Sequence, residues 1–200
     1  MSSPTTTLEP RLARPTPDAG NRLPNSVLAM IIFVVAEIMF FAALMSAHTI
    51  ARATVLGGVW PPAGQPRLPV ERTAFNTAIL LLSGALLFVA NRRARAGYEK
   101  ARPYVAGAIA TGIAFVLQQG VEWVALLREG LTMQSSTHGA FFYLIVGAHA
   151  LHAVVAIAVL TAIYFPMRRG TLARSTFAAT QVFWYFVVLL WPVIYLRVYL

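Results

Sequence analysis

The chain has few charged residues and no cysteine. Only 12% of its 200 residues are charged, and Asp and Glu together number seven. The lack of cysteine excludes disulfides, thiolate metal sites and a cysteine nucleophile. The sequence also has no glycine-rich phosphate loop, no nucleotide motif and no Ser-His-Asp arrangement. These absences remove most common kinds of enzyme site, and no catalytic centre of the chain's own is expected.

Apolar residues dominate what is present. They make up 58% of the sequence, which is not the composition of a soluble domain. Apolar runs near or above the ~18–20 residues needed to cross a bilayer indicate a membrane protein. The net charge of +9 would suit nucleic-acid binding. However, the positive residues lie between the apolar runs, where lipid headgroups and membrane topology account for them.

Five apolar runs predict five helices. Only helices and closed barrels satisfy their backbone in lipid, and these runs are continuously apolar rather than alternating. The predicted fold is therefore an all-α, polytopic membrane bundle of five transmembrane helices in residues 26–200. Residues 1–25 are rich in Pro and Thr, show no signal peptide and are predicted to form a flexible cytoplasmic tail. The predicted spans are residues 26–48, 73–90, 104–127, 138–165 and 175–199.

Prolines and a glycine predict where some helices begin, end or bend. Pro103 is expected to open the third helix near its first turn. Pro166 and Gly170 are expected to end the fourth. Pro192 lies within the fifth span and is expected to kink it.

The distribution of Arg and Lys predicts the orientation. Eleven of them lie in the tail, the second–third loop and the fourth–fifth loop, and five lie on the other side. Because cytoplasmic loops carry the excess of positive residues, the N-terminus is predicted inside and the C-terminus outside. The long loop at residues 49–72 is then outside.

Glu37 is the most informative single residue. It lies in the middle of an otherwise apolar span, where a charge costs at least ~2.5–3.5 kcal/mol. His48 follows eleven residues later, about three helical turns on, and is expected on the same face. One interpretation is a protonatable site with a relay at the membrane surface. The other is a neutral Glu37 that is hydrogen-bonded to a neighbouring helix.

Glu122 is the second acid within a span. It follows Gln118 by four residues, a spacing that places both on one helix face, and Trp123 is beside it. We interpret this group as a hydrogen-bonding seam between helices.

His149 and His152 lie three residues apart on the fourth predicted helix. With Glu37 and Glu122 they offer ligands for a metal, but neither Glu precedes a His by three residues, as carboxylate di-metal bundles require. No metal site is therefore predicted. His138 is expected at the membrane interface, where the fourth helix begins.

Each predicted helix carries a motif of one family. The first has Glu-x-x-Phe-Phe at residues 37–41, and the second has Asn-Thr-x-x-Leu-Leu-x-Ser at residues 76–83. The remaining motif residues are Gln118, Glu122 and Trp123 in the third helix, Phe141, Phe142, Leu144, His149 and His152 in the fourth, and Trp184, Phe186, Val187, Trp191 and Tyr195 in the fifth. In this order, the motifs resemble subunit III of the haem–copper oxidases, which comprise cytochrome c and quinol oxidases. The resemblance covers residues 22–200.

Two departures from the family pattern stand out. Long members have two more helices at the amino end, so this chain resembles a short, five-helix form. The last helix of the family commonly has His after the Trp and Asp after the Val. Tyr185 and Val188 occupy those places here. The resemblance therefore does not extend to this pair, to which the family's lipid or proton role is assigned.

The resemblance implies a non-catalytic subunit in the inner (plasma) membrane of a bacterium. Such a subunit has no haem or copper of its own, since these belong to the partner subunits. It packs on subunit I, in a complex with subunit II, binds phospholipid and supports proton uptake during aerobic respiration. Glu37, His48, Gln118, Glu122, His149 and His152 are the candidates for a proton or lipid role.

Two other functions stay open from the sequence. A related accessory subunit of a nitric oxide reductase would show the same motifs. A stand-alone proton or small-solute transporter is expected to show internal repeats and broken helices at mid-membrane, and neither is evident in the sequence.

Overall fold

A computed structural model describes residues 23–54, 60 and 64–200. The helices are α1 Asn25–Ala53, α2 Val70–Ala94, α3 Tyr98–Arg128, α4 Thr137–Arg169 and α5 Arg174–Ile194, and a π-helical turn, Tyr195–Tyr199, follows α5. All five, α5 together with its π-helical turn, are long and apolar enough to cross a membrane. The predicted all-α bundle of five transmembrane helices is confirmed. The predicted tail lies almost wholly outside the described residues.

The helices extend beyond the predicted spans because hydropathy marks only the apolar middle of each one. The third helix shows the effect most clearly, since it begins at Tyr98 rather than near Pro103. Pro103 is thus the sixth residue of α3, and the prediction that it opens the helix is wrong. A proline there removes the bond to the carbonyl of Glu99, which lies in the first turn at the exposed start of the helix.

The structure also shows how α4 and α5 end, which bears on the predictions for Pro166, Gly170 and Pro192. Gly170 adopts a left-handed conformation (φ 72°) after the last residue of α4, and the amide of Thr171 donates to the carbonyl of Pro166 over 3.0 Å. Glycine suits this cap because it has no Cβ to clash. Pro166 itself lies inside the last turn of α4, so Gly170 alone ends the helix. Pro192 lies inside α5, two residues before the α-helix gives way to the π-helical turn.

The fifth helix is the centre of the bundle. In the most apolar stretch of α5, 67% of the residues are buried, whereas only 11% are buried in the corresponding stretch of α1. α5 packs on α1, α2 and α4, and α2 and α3 form a closely packed antiparallel pair. Trp184 and Trp191 of α5 are fully buried. α1 is therefore the peripheral helix, with a broad apolar face exposed.

The ring of Trp184 from α5 reaches α3 at a glycine. A Cβ on Gly112 would lie 2.8 Å from the ring of Trp184, closer than side chains approach. At the end of the bundle where α3 begins, Arg102 donates to the carbonyl of Arg168 over 2.7 Å. This bond joins the start of α3 to the end of α4. The opposite end, where α1 ends and α4 begins, is called the outer end below, after the orientation that the Arg and Lys distribution predicts.

Candidate functional site

The carboxyl group of Glu37 pairs with a histidine of another helix. Its Oε2 lies 3.1 Å from Nε2 of His152, which joins α1 to α4. Nδ1 of the same ring lies 2.7 Å from the carbonyl oxygen of Ala148, one turn earlier in α4. Of the two side chains, 20% of Glu37 and 15% of His152 is exposed. The intramembrane acid thus has the helix-bridging partner that one interpretation of the sequence required.

The two hydrogen bonds of the His152 ring show where the protons of the Glu37–His152 pair lie. A backbone carbonyl can only accept, so Nδ1 of His152 must carry a hydrogen. Nε2 then either accepts from a protonated Glu37 or, in an imidazolium, donates to a carboxylate. In both states the pair shares a single proton between the two side chains. The geometry is therefore that of a protonatable group, in either a neutral or an ionised form.

Aromatic rings surround this pair. The His152 ring lies 5.4 Å from the ring of Phe41, 6.4 Å from that of Phe183 and 6.3 Å from that of Phe186, centroid to centroid. Phe41 is fully buried. These rings fill the space between α1, α4 and α5, which holds the His152 ring beside Glu37.

Glu122 belongs to a separate network that joins α2, α3 and the π-helical turn. Its Oε2 lies 3.0 Å from the hydroxyl of Thr73 and 3.3 Å from the amide nitrogen of Gln119. Gln119 also donates to the hydroxyl of Tyr199 over 3.1 Å and accepts from the amide of Asn76 over 3.2 Å. The seam between helices predicted for Glu122 is therefore built around Gln119.

The hydroxyl of Thr73 has two neighbours to which it can donate, and its geometry suits either protonation state of Glu122. It lies 2.9 Å from the carbonyl of Pro69 as well as 3.0 Å from Glu122. A hydroxyl has one hydrogen, so when it donates to the carbonyl it can only accept from Glu122. A protonated carboxyl supplies that donor. The network accommodates a neutral acid within the bundle, where a charge is costly.

The sequence placed Gln118 in this seam, whereas the structure places Gln119 there. Gln118 is partly exposed, and Gln119 is 4% exposed. The helical periodicity of the sequence could have identified Gln119. The buried positions of α3 alternate in steps of four and three, as the inner face of a packed helix does, and Gln119 falls on that series. They are Ala101, Val105, Ala108, Gly112, Phe115, Gln119, Glu122 and Leu126.

Thr73, Asn76 and Tyr199 are the other residues of the network that sequence reasoning missed. Only the Asn-Thr motif of the second helix hinted at Asn76. Tyr199 is about 80 residues from Gln119 in sequence, so no local pattern joins them.

His149 and His152 face different neighbours although they are one turn apart. The His149 ring packs on the ring of Trp191 at 4.9 Å, whereas His152 pairs with Glu37. His149 is 1% exposed, and neither of its ring nitrogens has a hydrogen-bond partner among the described residues.

The structure does not gather the four side chains that offered metal ligands into one group. In residues 23–54, 60 and 64–200 no three His, Asp or Glu side chains are close enough to hold a metal ion.

His48 lies at the outer end, apart from Glu37. Its ring packs on those of Trp60 and Phe141 at 5.6 and 5.7 Å. Trp60 in turn contacts the ring of His138 at 5.1 Å. Both histidines are 2% exposed. His48 therefore belongs to an aromatic cluster at the outer end, while the partner of Glu37 comes from α4.

Comparison with known proteins identifies the family. The model of the family "Cytochrome c oxidase subunit III" matches residues 25–200, a stretch that contains all five helices. The chain belongs to the cytochrome c oxidase subunit III family. This confirms the resemblance drawn from the five helix motifs. Both the Glu37–His152 pair and the network of Glu122 lie within the matched residues.

Curated relatives of the chain come from several different organisms. Cytochrome c oxidase subunit 3 of Arabidopsis thaliana is 32% identical over 176 residues, which are 84% of this chain and 66% of the relative. The rabbit protein (Oryctolagus cuniculus) of the same name is 30% identical over 178 residues, 85% of this chain and 67% of the relative. That of Pyricularia grisea is 32% identical over 179 residues, with 86% and 66% covered. The chain thus spans about two thirds of the length of these subunit 3 proteins.

Proposed function

We propose that this chain is the non-catalytic subunit III of a terminal haem–copper respiratory oxidase. In this role it packs on subunit I, within a complex that includes subunit II, and the partners hold the haem and copper. It supports proton uptake and keeps the oxygen-reducing site stable during turnover. The observation that carries the proposal is the subunit III family match across all five helices.

The Glu37–His152 pair supports a role in proton supply. It holds one shared proton on a peripheral helix, and both side chains keep some exposure. The shared proton can move between Glu37 and Nε2 of His152 while the hydrogen bond is kept, so the pair holds a transferable proton in the membrane without a net charge. The network of Glu122 is more enclosed and ties three segments together, so we assign it a structural role.

A groove between α1 and α5 supports phospholipid binding. Its middle is lined almost wholly by apolar side chains, among them Val34, Ile38, Phe186 and Leu189, with a volume of about 470 Å³. Towards the outer end the groove continues into a second cavity of about 560 Å³. The two share Ala42, Met45 and Val193. The second cavity is also lined by the polar residues Ser46, Thr49 and Arg197. An acyl chain fits the apolar stretch, and the polar stretch offers a guanidinium and two hydroxyls to a headgroup.

We further propose that the chain lies in the plasma membrane of a bacterium, with its N-terminus in the cytoplasm. This orientation is supported by the distribution of Arg and Lys, eleven on the proposed cytoplasmic side and five on the other. The residues of the cytoplasmic side include those at the ends of α2 and α4 and at the starts of α3 and α5, which lie at one end of the bundle.

Oxygen consumption over many turnovers tests the function. Complexes with and without the chain are compared in the same lipid, together with a complex that carries Glu37→Gln. We expect the first turnovers to be equal and the activity to decline faster over many turnovers without the chain. The reason is that a subunit without cofactors cannot limit electron transfer directly, but it can limit proton supply and the stability of its neighbour.

Three outcomes would contradict the proposal. Loss of the very first turnover would show a direct catalytic role. Unchanged activity at all times, with unchanged haem and copper content, would restrict the chain to assembly. Purification with a nitric oxide reductase, or as an isolated transporter, would replace the oxidase as its setting.

A further inference from the structure

A cavity at the outer end is lined by positive side chains and adjoins the network of Glu122 through Tyr199. It has a volume of about 300 Å³ and lies where four segments meet: the end of α1, the approach to α2, the start of α4 and the π-helical turn. The lining residues used below are Arg52, Trp60, Arg67, His138 and Leu200.

Two positively charged arginines line the cavity. Within the described residues neither Arg52 nor Arg67 forms an ion pair with a carboxylate. Leu200 also lines the cavity. Two like charges that face one small space repel each other, and an anion placed between them removes that repulsion.

A buried histidine adds a donor to the same space. His138 is 2% exposed, lines the cavity, and has no hydrogen-bond partner for either ring nitrogen in the described part of the chain. The Trp60 ring meets it edge-on, with centroids 5.1 Å apart. A buried polar group without a partner costs free energy, and a neutral imidazole always carries one N–H. A bound acceptor would satisfy it.

We infer that this cavity binds a phosphate group through Arg52, Arg67 and His138. Guanidinium groups bind phosphate oxygens with paired hydrogen bonds, which makes arginine well suited to this anion. The volume is enough for a phosphate with a small organic substituent. The phosphate comes either from the aqueous phase, as a free anion, or from the headgroup of a phospholipid at the membrane surface. This site is independent of the proposed oxidase role.

Trp60 offers a local signal for the test. The full-length chain is kept in dodecyl maltoside, a detergent without phosphate, and titrated with inorganic phosphate, at constant ionic strength, while tryptophan fluorescence and calorimetric heat are recorded. We expect saturable binding that weakens by about tenfold or more in Arg52→Gln and in Arg67→Gln, since each loses a charge-assisted hydrogen bond. Both residues are exposed, so these changes leave the fold intact.

Matched controls make the result specific. Arg128→Gln removes a charge at the same end of the bundle but outside the cavity, and it is expected to bind phosphate as the unchanged chain does. Trp60→Phe is expected to lose the fluorescence change and keep the calorimetric binding. His138→Gln retains an N–H donor and is expected to bind better than His138→Phe.

Lipid composition separates the two sources of phosphate. If a headgroup fills the site, phosphatidylglycerol added to the detergent abolishes the response to inorganic phosphate, and phosphatidylglycerol retained on purification falls in Arg52→Gln and Arg67→Gln. If free phosphate is the ligand, the response is the same with and without the added lipid.

The inference is overturned if neither phosphate nor phosphatidylglycerol binds in a way that depends on Arg52 and Arg67. It is equally overturned if Arg128→Gln has the same effect as the cavity variants. Loss of a partner subunit in Arg52→Glu, with no phosphate binding by the chain, would instead assign the cavity to an acidic side chain of that partner.

Discussion

At the scale of single residues, hydrogen-bond partners explain how acids are tolerated inside this bundle. Glu37 has one partner, His152, across a gap of 115 positions in sequence. Glu122 has two, Thr73 and Gln119. Both acids can remain hydrogen-bonded while neutral, which avoids most of the cost of a charge in lipid.

Substitutions at Glu37 test this explanation. Glu37→Gln is expected to keep the stability of the chain, because the amide can donate to Nε2 of His152. Glu37→Leu leaves that nitrogen unpaired and is expected to lower the free energy of unfolding by about 1–3 kcal/mol. The measurement is the unfolding midpoint of the purified chain in detergent, with Met39→Leu, a change on the exposed face of α1, as the control. Equal stability of the Gln and Leu variants would show that Glu37 has no effective partner.

The two adjacent glutamines of α3 form a second, matched test. Gln119→Leu removes the bonds to Glu122, Asn76 and Tyr199 and is expected to cost about 1–3 kcal/mol or more. Gln118→Leu changes a partly exposed side chain outside the network and is expected to be near neutral. Unfolding of both variants under the same conditions decides it. A larger loss for Gln118→Leu would restore the seam that the four-residue spacing first suggested.

At the scale of helices, small residues determine how closely the elements approach one another. In membranes the association of helices depends on packing rather than on exclusion of water. α3 approaches α5 at Gly112, where the ring of Trp184 occupies the space of a side chain. Trp184 is fully buried, so it has little room to move away.

Glycine-to-alanine changes in α3 separate packing from helix propensity. Gly112→Ala is expected to destabilise the chain by about 1–3 kcal/mol through overpacking against Trp184. Gly120→Ala places its methyl group where no atom lies within 4 Å. It is expected to be neutral or to stabilise by about 0.5–1 kcal/mol through helix propensity. Unfolding midpoints of the two variants, measured in parallel, check both expectations, and a stable Gly112→Ala would mean that α3 and α5 pack more loosely.

At the scale of the whole molecule, α1 differs from the other four helices. It is the most apolar span and the least buried, and it carries one half of the Glu37–His152 pair. The groove between α1 and α5 is the surface proposed above for phospholipid.

Topology is the prediction that concerns the whole chain. Reporter fusions at Arg95 and after Leu200 are expected to place the first in the cytoplasm and the second outside, because positive residues are retained inside. An alkaline phosphatase fusion at Arg95 should therefore be inactive, and one after Leu200 should be active. The reverse pattern would invert the orientation and would put the phosphate cavity on the cytoplasmic side.

The sequence by itself determined the class of the molecule and the order of its helices. Continuous apolar runs have only one way to satisfy their backbone in lipid, so five helices followed from hydropathy alone. The five ordered motifs also pointed to the family that the comparison confirmed. Helix ends were less certain, as Pro103 shows, because polar residues at the membrane edge continue a helix without an apolar signal.

Only the tertiary structure decided which polar groups meet. Helical periodicity placed His48 on the face of Glu37, but the partner, His152, comes from another helix. It also placed His149 and His152 together, although one packs on Trp191 and the other on Glu37. Local spacing fixes the direction of a side chain around its own helix. The partner it reaches depends on which helix lies opposite and at what height, and this is set by the packing of all five.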